Sequence, residues 1–229
     1  MVFTGLVLLV TLAWFATLGT RRLLEPDEGR YAEISREMVA TGDWVTPRLN
    51  GIKYFEKPAL QYWATAATYK VLGQHEFSAR LWTGLTGFAG ILLALFAGRR
   101  LFDLRTGYAA AAILGSCLIY IIIGHINTLD MSLSFFLELT VFSFLIAQTS
   151  PLQSSSERNW MYLAWIGAAL AFLSKGLVAL ILPSLTLVAY TAATREFSAW
   201  KRLHLVKGLA LFLLITAPWI IVVSLRNPE

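Results

Sequence analysis

The chain has 229 residues, of which 57% are hydrophobic and 14% are charged, about half the charged share of an ordinary soluble domain. This balance excludes a soluble globular enzyme, because too few polar residues remain to cover a core of this size. The formal net charge of +5 comes from basic residues scattered along the chain. Scattered charge favours contact with anionic lipid head groups at membrane edges and predicts no nucleic-acid partner.

Apolar runs recur along the chain, and about 20 such residues suffice to cross a bilayer. We expect these spans to be helices, because lipid offers backbone groups no outside hydrogen-bond partner. The predicted fold is an all-α, polytopic membrane helix bundle of about seven spans. The predicted spans are residues 2–20, 81–98, 106–129, 131–148, 159–174, 176–194 and 208–225.

The distribution of Lys and Arg predicts the orientation of these spans. With a cytoplasmic amino terminus, the short inner connections hold eight basic residues, against Lys175 and Arg226 on the outer side. Arg21 and Arg22, directly after the first span, oppose this orientation. The bulk of the basic residues nevertheless predicts that the first loop faces the outer side of the membrane.

A long loop, residues 21–80, separates the first two predicted spans and holds eight of the fourteen acidic residues. Long connections are usually functional or disordered, and the tryptophans and tyrosines of this loop disfavour disorder. One helical pattern runs from Pro26 to Gly42, and a second runs from Pro58 to Gly73. Both are typical of amphipathic helices at the membrane interface. The predicted apolar stripe of the second helix consists of Leu60, Trp63, Ala67 and Val71.

Two pairs of residues in the loop are candidates for chemistry. Asp27 and Glu28 lie at a predicted helix start, where acids are favoured by the helix dipole whether or not they react. Glu56 and Lys57 are either an exposed ion pair or part of a site. Spacing alone leaves both alternatives open for each pair.

Asp130 and Lys175 each stand between predicted spans with almost no hydrophilic linker. Acids at membrane depth are costly and mark functional sites by default, although Asp130 also suits a helix cap and Lys175 an interfacial topology marker. On the predicted topology both lie on the same side as the loop acids. Such a cluster suits an anionic substrate together with a metal ion or a general base.

Two further polar residues lie in or near the spans. Glu138 is two turns inside the fourth span, where we expect a buried structural hydrogen bond; the alternative is the proton site of a transporter. His125 is either a metal ligand or, as we expect, a hydrogen-bonded interfacial residue.

The loop contains an ordered block of residues that reads EPDEGRYAEISREM at 25–38, GDW at 42–44 and YFEKP at 54–58. Four shorter segments that belong to the same pattern follow, at 129–130, 174–176, 218–219 and 226–229. This block resembles the bacterial transferases that move 4-amino-4-deoxy-L-arabinose from undecaprenyl phosphate to lipid A, which are relatives of the protein O-mannosyltransferases. The resemblance extends over nearly the whole chain.

The resemblance implies roles for individual residues. Asp27 matches an aspartate at the reaction centre and Asp130 a further acid in the cavity, so both are predicted to be catalytic. Glu56 matches an acid associated with a divalent metal cation, whose second ligand is expected beyond Glu229. The residues predicted to bind substrate are Arg30, Tyr31, Lys57 and Lys175.

The resemblance therefore predicts a membrane glycosyltransferase of the bacterial inner membrane with its active-site loop in the periplasm. The donor is a polyprenyl-phosphate-linked, aminoarabinose-like sugar, and the acceptor is lipid A or a related molecule. The alternatives are an enzyme like the protein O-mannosyltransferases, with a polypeptide hydroxyl as acceptor, and a non-enzymatic transporter. Family members are longer, so residues 1–229 are expected to be the amino-terminal part of the transmembrane domain, without the carboxy-terminal spans and the periplasmic domain. Donor binding is expected to survive in part.

Overall fold

The computed structural model describes the backbone of residues 2–228 and the side chains of residues 9–228. Within these residues the fold is a helix bundle with one short two-stranded sheet in the first loop. In chain order the elements are α1 (Val2–Ala16), α2 (Asp27–Thr41), β1 (Arg48–Leu49), β2 (Ile52–Lys53), α3 (Leu60–Leu72), α4 (Glu76–Leu101), α5 (Leu104–Ser116), α6 (Leu118–Gly124), α7 (Leu129–Thr149), α8 (Ser155–Lys175), α9 (Val178–Thr194), α10 (Ser198–Lys201) and α11 (Leu205–Arg226).

Each predicted span falls on a helix or on a pair of helices. In the described part of the chain, α4, α7 and α11 are long and apolar enough to cross a membrane, and the pair α5–α6 adds a fourth if it forms one span. This pair is bent by 68°, because Cys117 between the two helices has an extended backbone with ψ of 116°. The all-α membrane fold is confirmed, and the count of seven spans stays a prediction.

Close helix contacts in the bundle depend on glycine. A Cβ on Gly167 of α8 would lie 3.0 Å from the backbone nitrogen of Thr140 on α7. A Cβ on Gly98 of α4 would lie 2.8 Å from the Cα of Gly107 on α5. Without a side chain at these positions, the backbones approach closely, and close approach is how helices associate where lipid removes the hydrophobic driving force.

The first loop folds as two helices packed over one end of the bundle. The predicted helix after Pro26 is confirmed as α2, which ends where Gly42 takes a left-handed conformation with φ of 71°. Helix α3 begins two residues after Pro58 and ends before Gly73. The contact between them is made by Tyr31, Ile34 and Met38 of α2 with Tyr62 and Ala66 of α3, on top of Leu129.

The apolar stripe predicted for α3 does not form one face of the packing. Val71 is 81% exposed and Ala67 is exposed, whereas Leu60 and Trp63 are partly buried against the bundle. Polar residues enter the buried face instead because partners elsewhere in the chain satisfy them, which periodicity cannot indicate. The residues buried on this face are Gln61, Tyr62, Thr65, Ala66 and Tyr69.

The turn-rich stretch between the loop helices contains a hairpin. Arg48 pairs with Lys53 and Leu49 with Ile52, around a turn at positions 50 and 51. Both turn residues, an asparagine and a glycine, have positive φ, of 54° and 78°. This is the turn that asparagine–glycine pairs favour in two-residue hairpins. The hairpin brings the following Tyr-Phe-Glu-Lys segment to the start of α3.

Candidate active site

Asp27 and Glu28 are neighbours at the start of α2, but their side chains have opposite environments. The side chain of Asp27 is 58% exposed and that of Glu28 is 1% exposed. The helix start alone does not explain Glu28, because a dipole-favoured acid has no need to be buried. Its burial is explained by Arg80 in the first turns of α4.

Arg80 is fully buried and uses all of its N–H donors. Its Nε and Nη2 donate to the two carboxylate oxygens of Glu28 at 2.7 and 3.0 Å. The remaining donors bind the carbonyls of Leu18, Arg21 and Arg22, each at 2.8 Å. A buried ion pair is stable only when its other hydrogen-bonding capacity is also satisfied, and this one meets that condition.

Glu28 receives further donors from two other parts of the chain. The Arg21 guanidinium and the Leu24 amide donate to Oε2 at 2.8 Å, and the Asn127 amide donates to Oε1 at 2.7 Å. Burial acts to raise the pKa of Glu28, but the hydrogen bonds led by Arg80 outweigh it and lower the pKa from 4.5 to about 2. The ionised side chain of Glu28 therefore links the first loop to α4 and to the α6–α7 connection through its hydrogen bonds.

A second cluster of charged groups lies on the exposed side of the loop. Tyr54 donates from its hydroxyl to Oε2 of Glu56 at 2.6 Å, and Lys57 lies 3.4 Å from Oε1 of the same carboxylate. Arg30 lies 3.8 Å from Asp27. Contact with the Tyr54 phenol is the main reason that the pKa of Arg30 is raised. Tyr54 thus connects the Asp27 group to the Glu56 group, a role that its place in the YFEKP block did not predict.

Tyr31 lies beneath this cluster rather than beside it. It is 7% exposed, and its ring centre is 6.0 Å from that of Tyr62. Burial is the main cause that raises the pKa of Tyr31 to about 12, and the proximity of Tyr54 and of the Asp27 carboxylate adds to it. Burial, followed by the nearby Tyr54, Tyr31 and Glu56, raises the pKa of Tyr62, whose hydroxyl has no hydrogen-bond partner among the described residues. Tyr31 stays a predicted substrate-binding residue, with its phenol neutral at physiological pH.

Asp130 and Lys175 form an ion pair with each other. Asp130 is in the first turn of α7 and Lys175 is the last residue of α8, so each charge also lies at the favourable end of its helix dipole. Their side chains are 47% and 30% exposed. The two residues that stood alone in the sequence are therefore partners, still accessible to a ligand.

The ion pair and the loop cluster meet at the same end of the bundle. A Cβ on Gly176, the residue after Lys175, would lie 4.0 Å from the ring of Pro58, the residue after Lys57. Leu129, the residue before Asp130, is buried under α2 and α3. The structure thus places two groups of predicted site residues at the same end of the bundle: Asp27, Arg30, Tyr31, Glu56 and Lys57 in the first loop, and Asp130 with Lys175 at the ends of α7 and α8.

His125 and Glu138 lie apart from this site. The two ring nitrogens of His125 lie 2.8 and 2.9 Å from the carbonyls of Ile121 and Trp14, which confirms the hydrogen-bonded alternative and leaves neither nitrogen for a metal. The hydrogen bond expected of Glu138 is not found at its Oε2 within the described residues. The nearby Tyr120 donates instead to the carbonyl of Gly87 at 2.9 Å.

The described residues do not assemble a metal site. They contain no group of three His, Cys, Asp or Glu side chains placed to hold an ion. Glu56 is one carboxylate, and the ammonium group of Lys57 beside it opposes a second cation. The divalent cation predicted at Glu56 therefore finds one ligand here and no complete site.

Comparison with known proteins decides the family. A family model described as dolichyl-phosphate-mannose-protein mannosyltransferase matches residues 1–228. The chain belongs to this family. As a member of it, the chain is a multi-pass membrane protein. The family is described by a mannosyltransferase activity, which gives no support to the transporter alternative.

Curated proteins that are similar in sequence to this chain support the resemblance seen in the first loop. One, from Aeromonas salmonicida, is 37% identical over 98% of this chain and 41% of its own length. Another, from Proteus mirabilis, is 35% identical over 97% of this chain and 40% of its own length. Both are named undecaprenyl phosphate-alpha-4-amino-4-deoxy-L-arabinose arabinosyl transferases. The chain thus spans well under half the length of these relatives.

Solved structures give the same result. ArnT from Cupriavidus metallidurans in the apo state matches with a TM-score of 0.94 at 43% identity, covering 100% of this chain and 43% of ArnT. The same enzyme bound to undecaprenyl phosphate matches with a TM-score of 0.90 at 45% identity, over 99% and 42%. The Saccharomyces cerevisiae Pmt1-Pmt2 complex bound to its sugar donor matches at 0.66 and 17% identity, over 99% and 34%, which shows the fold alone.

Proposed function

We propose that this chain is the donor-binding part of a membrane glycosyltransferase that moves an aminoarabinose-like sugar from a polyprenyl phosphate to lipid A or a related acceptor. The observation that carries the proposal is that the Glu56–Lys57 pair and the Asp130–Lys175 pair lie at the same end of the bundle, where Pro58 approaches Gly176. The names of the curated relatives and the ArnT complex with undecaprenyl phosphate support it. We place this end of the bundle at the periplasmic face of the bacterial inner membrane.

The two lysines supply what a polyprenyl phosphate requires. When the sugar leaves, the phosphate carries the departing negative charge, and fixed cations in a water-poor site stabilise that charge. Each lysine is held by one carboxylate, Lys57 by Glu56 and Lys175 by Asp130. Both carboxylates keep their lysine in place before the donor binds, and both lysine side chains remain about 30% exposed, at 28% and 30%.

The acceptor determines what Asp27 has to do. A phosphate of lipid A is ionised near neutral pH and needs no base, so Asp27 would orient the acceptor or engage the amino group of the sugar. A polypeptide hydroxyl would instead need Asp27 as a general base. The exposed carboxylate beside Arg30 suits either role. The family description favours keeping the polypeptide acceptor as the second candidate.

A divalent cation at Glu56 stays a prediction, and no step of this proposal depends on it. The described residues contribute Glu56 alone, so further ligands would have to join it. Without further ligands, this chain would hold two lysines, Arg30 and the three exposed acids Asp27, Glu56 and Asp130 around the donor phosphate and sugar.

The experiment that tests the proposal uses the full-length gene in cells that lack it. Cells are complemented with the wild type, with D27N or with the matched control D103N; Asp103 caps α5, and asparagine caps equally well. Mass spectrometry of lipid A should show the added sugar for the wild type and D103N and its loss for D27N, at equal amounts of protein in the membrane. Sugar retained on lipid A in D27N contradicts the proposal. Sugar on secreted proteins instead of lipid A selects the second candidate.

A further inference from the structure

A continuous chain of buried hydrogen bonds runs behind the candidate site. The Trp82 indole donates to the Ser132 hydroxyl at 2.7 Å, and that hydroxyl donates to Oε1 of Gln61 at 2.7 Å. Nε2 of Gln61 donates to Oδ1 of Asn127 at 3.0 Å, and the Asn127 backbone amide donates to Glu28 at 2.7 Å. Gln61, Asn127, Ser132 and Glu28 are all 0% exposed.

Every donor in this chain points in the same direction. The chain starts at the indole on α4 and ends at the carboxylate of Glu28, which Arg80 holds in place. In a low-dielectric interior, the aligned bonds from Trp82 through Ser132 and Gln61 to the Asn127 side chain polarise and strengthen one another. The backbone amide of Asn127 is a separate group, and its bond to the charged Glu28 holds Asn127 in place. The chain therefore acts as one unit, and the loss of one member leaves several buried groups unpaired.

The members of the chain flank the residues of the site. Gln61 is in the first turn of α3, four residues after Lys57. Its two partners are on either side of Asp130, with Asn127 three residues before it and Ser132 two residues after it. The amide of Gln61 thus holds the start of α7 on both sides of Asp130, from within the helix that follows Glu56 and Lys57.

We propose that Gln61 is a positioning residue, whose amide fixes Asp130 and its ion pair with Lys175 relative to the Glu56–Lys57 pair of the first loop. Gln61 is buried and acts through its neighbours. The link to catalysis rests on the proposed function, whereas the effect on the ion pair does not.

Glutamine is the side chain that this place requires. At this position, one planar side-chain group has to donate to Asn127 and accept from Ser132. Leucine has the same approximate volume and neither group. An ionised glutamate would offer two acceptors and would add a second buried charge to a chain that already ends at Glu28.

The first test measures the reactivity of Lys175 in the purified chain in detergent. Water-soluble acetylation followed by peptide mass spectrometry gives the labelling rate of Lys175 relative to the exposed Lys70. D130N removes the ion pair and sets the upper limit. We expect Q61L to raise the relative rate roughly threefold, as the loss of a weak, partly exposed ion pair would. Q74L, the same change at an exposed glutamine, should leave the rate unchanged.

A second variant keeps the proposal testable if Q61L does not fold. S132A breaks the same chain on α7, and S134A is its control on the same helix. We expect S132A to raise the labelling of Lys175 as Q61L does, and we expect the double variant to give no more than either single change, because both break one unit. A rate at Lys175 equal to the wild type in both single variants overturns the proposal.

A variant in the D130N background separates positioning from general loosening. Q61L with D130N should label Lys175 no faster than D130N alone, since Gln61 acts through Asp130. Additive labelling, or equal increases at Lys70 and Lys175, shows general destabilisation and also overturns the proposal. In the full-length protein, Q61L should lower the rate of sugar transfer as D130N does. A positive labelling result with unchanged transfer in D27N would reject the proposed function and leave the role of Gln61 intact.

Discussion

Glu28 and Arg80 are 52 positions apart in the chain and form an ion pair that is closed to solvent on both sides. Two parallel hydrogen bonds of 2.7 and 3.0 Å join the guanidinium to the carboxylate. Around them, the same arginine donates to three carbonyls just after α1, and the same glutamate accepts from the backbone amide of Asn127. This pair fixes the loop that carries Asp27 to the bundle that carries Asp130.

The first prediction concerns the stability of this pair. E28Q leaves Arg80 buried without its counter-charge, which should lower the free energy of unfolding by about 3–5 kcal/mol. The matched control is E33Q on the same helix, which breaks the partly exposed pair with Arg36 and should cost no more than about 1 kcal/mol. Thermal unfolding of the purified protein in detergent measures both. Equal melting temperatures for the two variants would contradict the prediction.

The second prediction concerns acid. Because the pKa of Glu28 falls from 4.5 in the unfolded chain to about 2 in the folded protein, its contribution to stability is present above 4.5 and is lost as the pH falls towards about 2. The stability advantage of the wild type over E28Q should therefore shrink as the pH falls, by about 2 kcal/mol at pH 3. Melting temperatures of both proteins between neutral pH and about pH 3 measure the difference. A gap that stays constant with pH would show that Glu28 does not have a lowered pKa.

The third prediction concerns Tyr54. Y54F removes the hydroxyl that donates to Glu56 and contacts Arg30 while keeping the ring. We expect binding of undecaprenyl phosphate to weaken by about tenfold, since a hydrogen bond to a charged group contributes about 1.5 kcal/mol. The control is Y190F on α9. The hydroxyl of Tyr190 lies 3.4 Å from the exposed Glu196 and belongs to neither group of site residues. Binding measured by fluorescence quenching in detergent should be unchanged in Y190F, and an unchanged affinity in Y54F would remove Tyr54 from the site.

The fourth prediction concerns the phosphate itself. K175M removes a cation from the site and should weaken undecaprenyl phosphate binding by at least about tenfold, whereas K175R should keep part of the affinity. K207M removes an exposed lysine from the first turn of α11 and serves as the control. Titration at low and at high salt should show the larger salt dependence for the wild type, because K175M has lost one ionic contact. The assignment of Lys175 to the phosphate fails if K175M and K207M bind alike.

The fifth prediction concerns helix packing. G167A places a methyl group 2.7 Å from Oγ1 of Thr140 and 3.0 Å from its backbone nitrogen, so α7 and α8 must separate. We expect a loss of about 1–3 kcal/mol in stability. G115A makes the same change where the nearest atom, a side-chain carbon of Ile91, is 3.4 Å away and can yield. Melting temperatures should fall for G167A and stay near the wild type for G115A; the reverse order would contradict the close approach of α7 and α8.

The sequence alone determined much of this protein. The apolar runs placed the helices of the bundle, because insertion into lipid depends on the composition of each segment by itself. Pro26, Gly42 and Gly73 marked the ends of the loop helices, because helix ends are set by the conformations of a few adjacent residues. The candidate residues from Asp27 to Lys57 belong to an ordered block of residue types, and Asp130 and Lys175 were indicated by their isolation between two spans.

Only the tertiary structure decided which of these residues meet. Nothing local separates the exposed Asp27 from the buried Glu28, since the difference comes from Arg80, 52 positions away. Asp130 and Lys175 are partners across 45 positions, and Gln61 reaches Asn127 and Ser132 across 66 and 71. For the same reason, the apolar stripe predicted for α3 is not the face that it buries against the rest of the chain. Hydropathy and helix caps are properties of a segment, whereas buried ion pairs and hydrogen bonds are properties of contacts that exist only once the chain has folded.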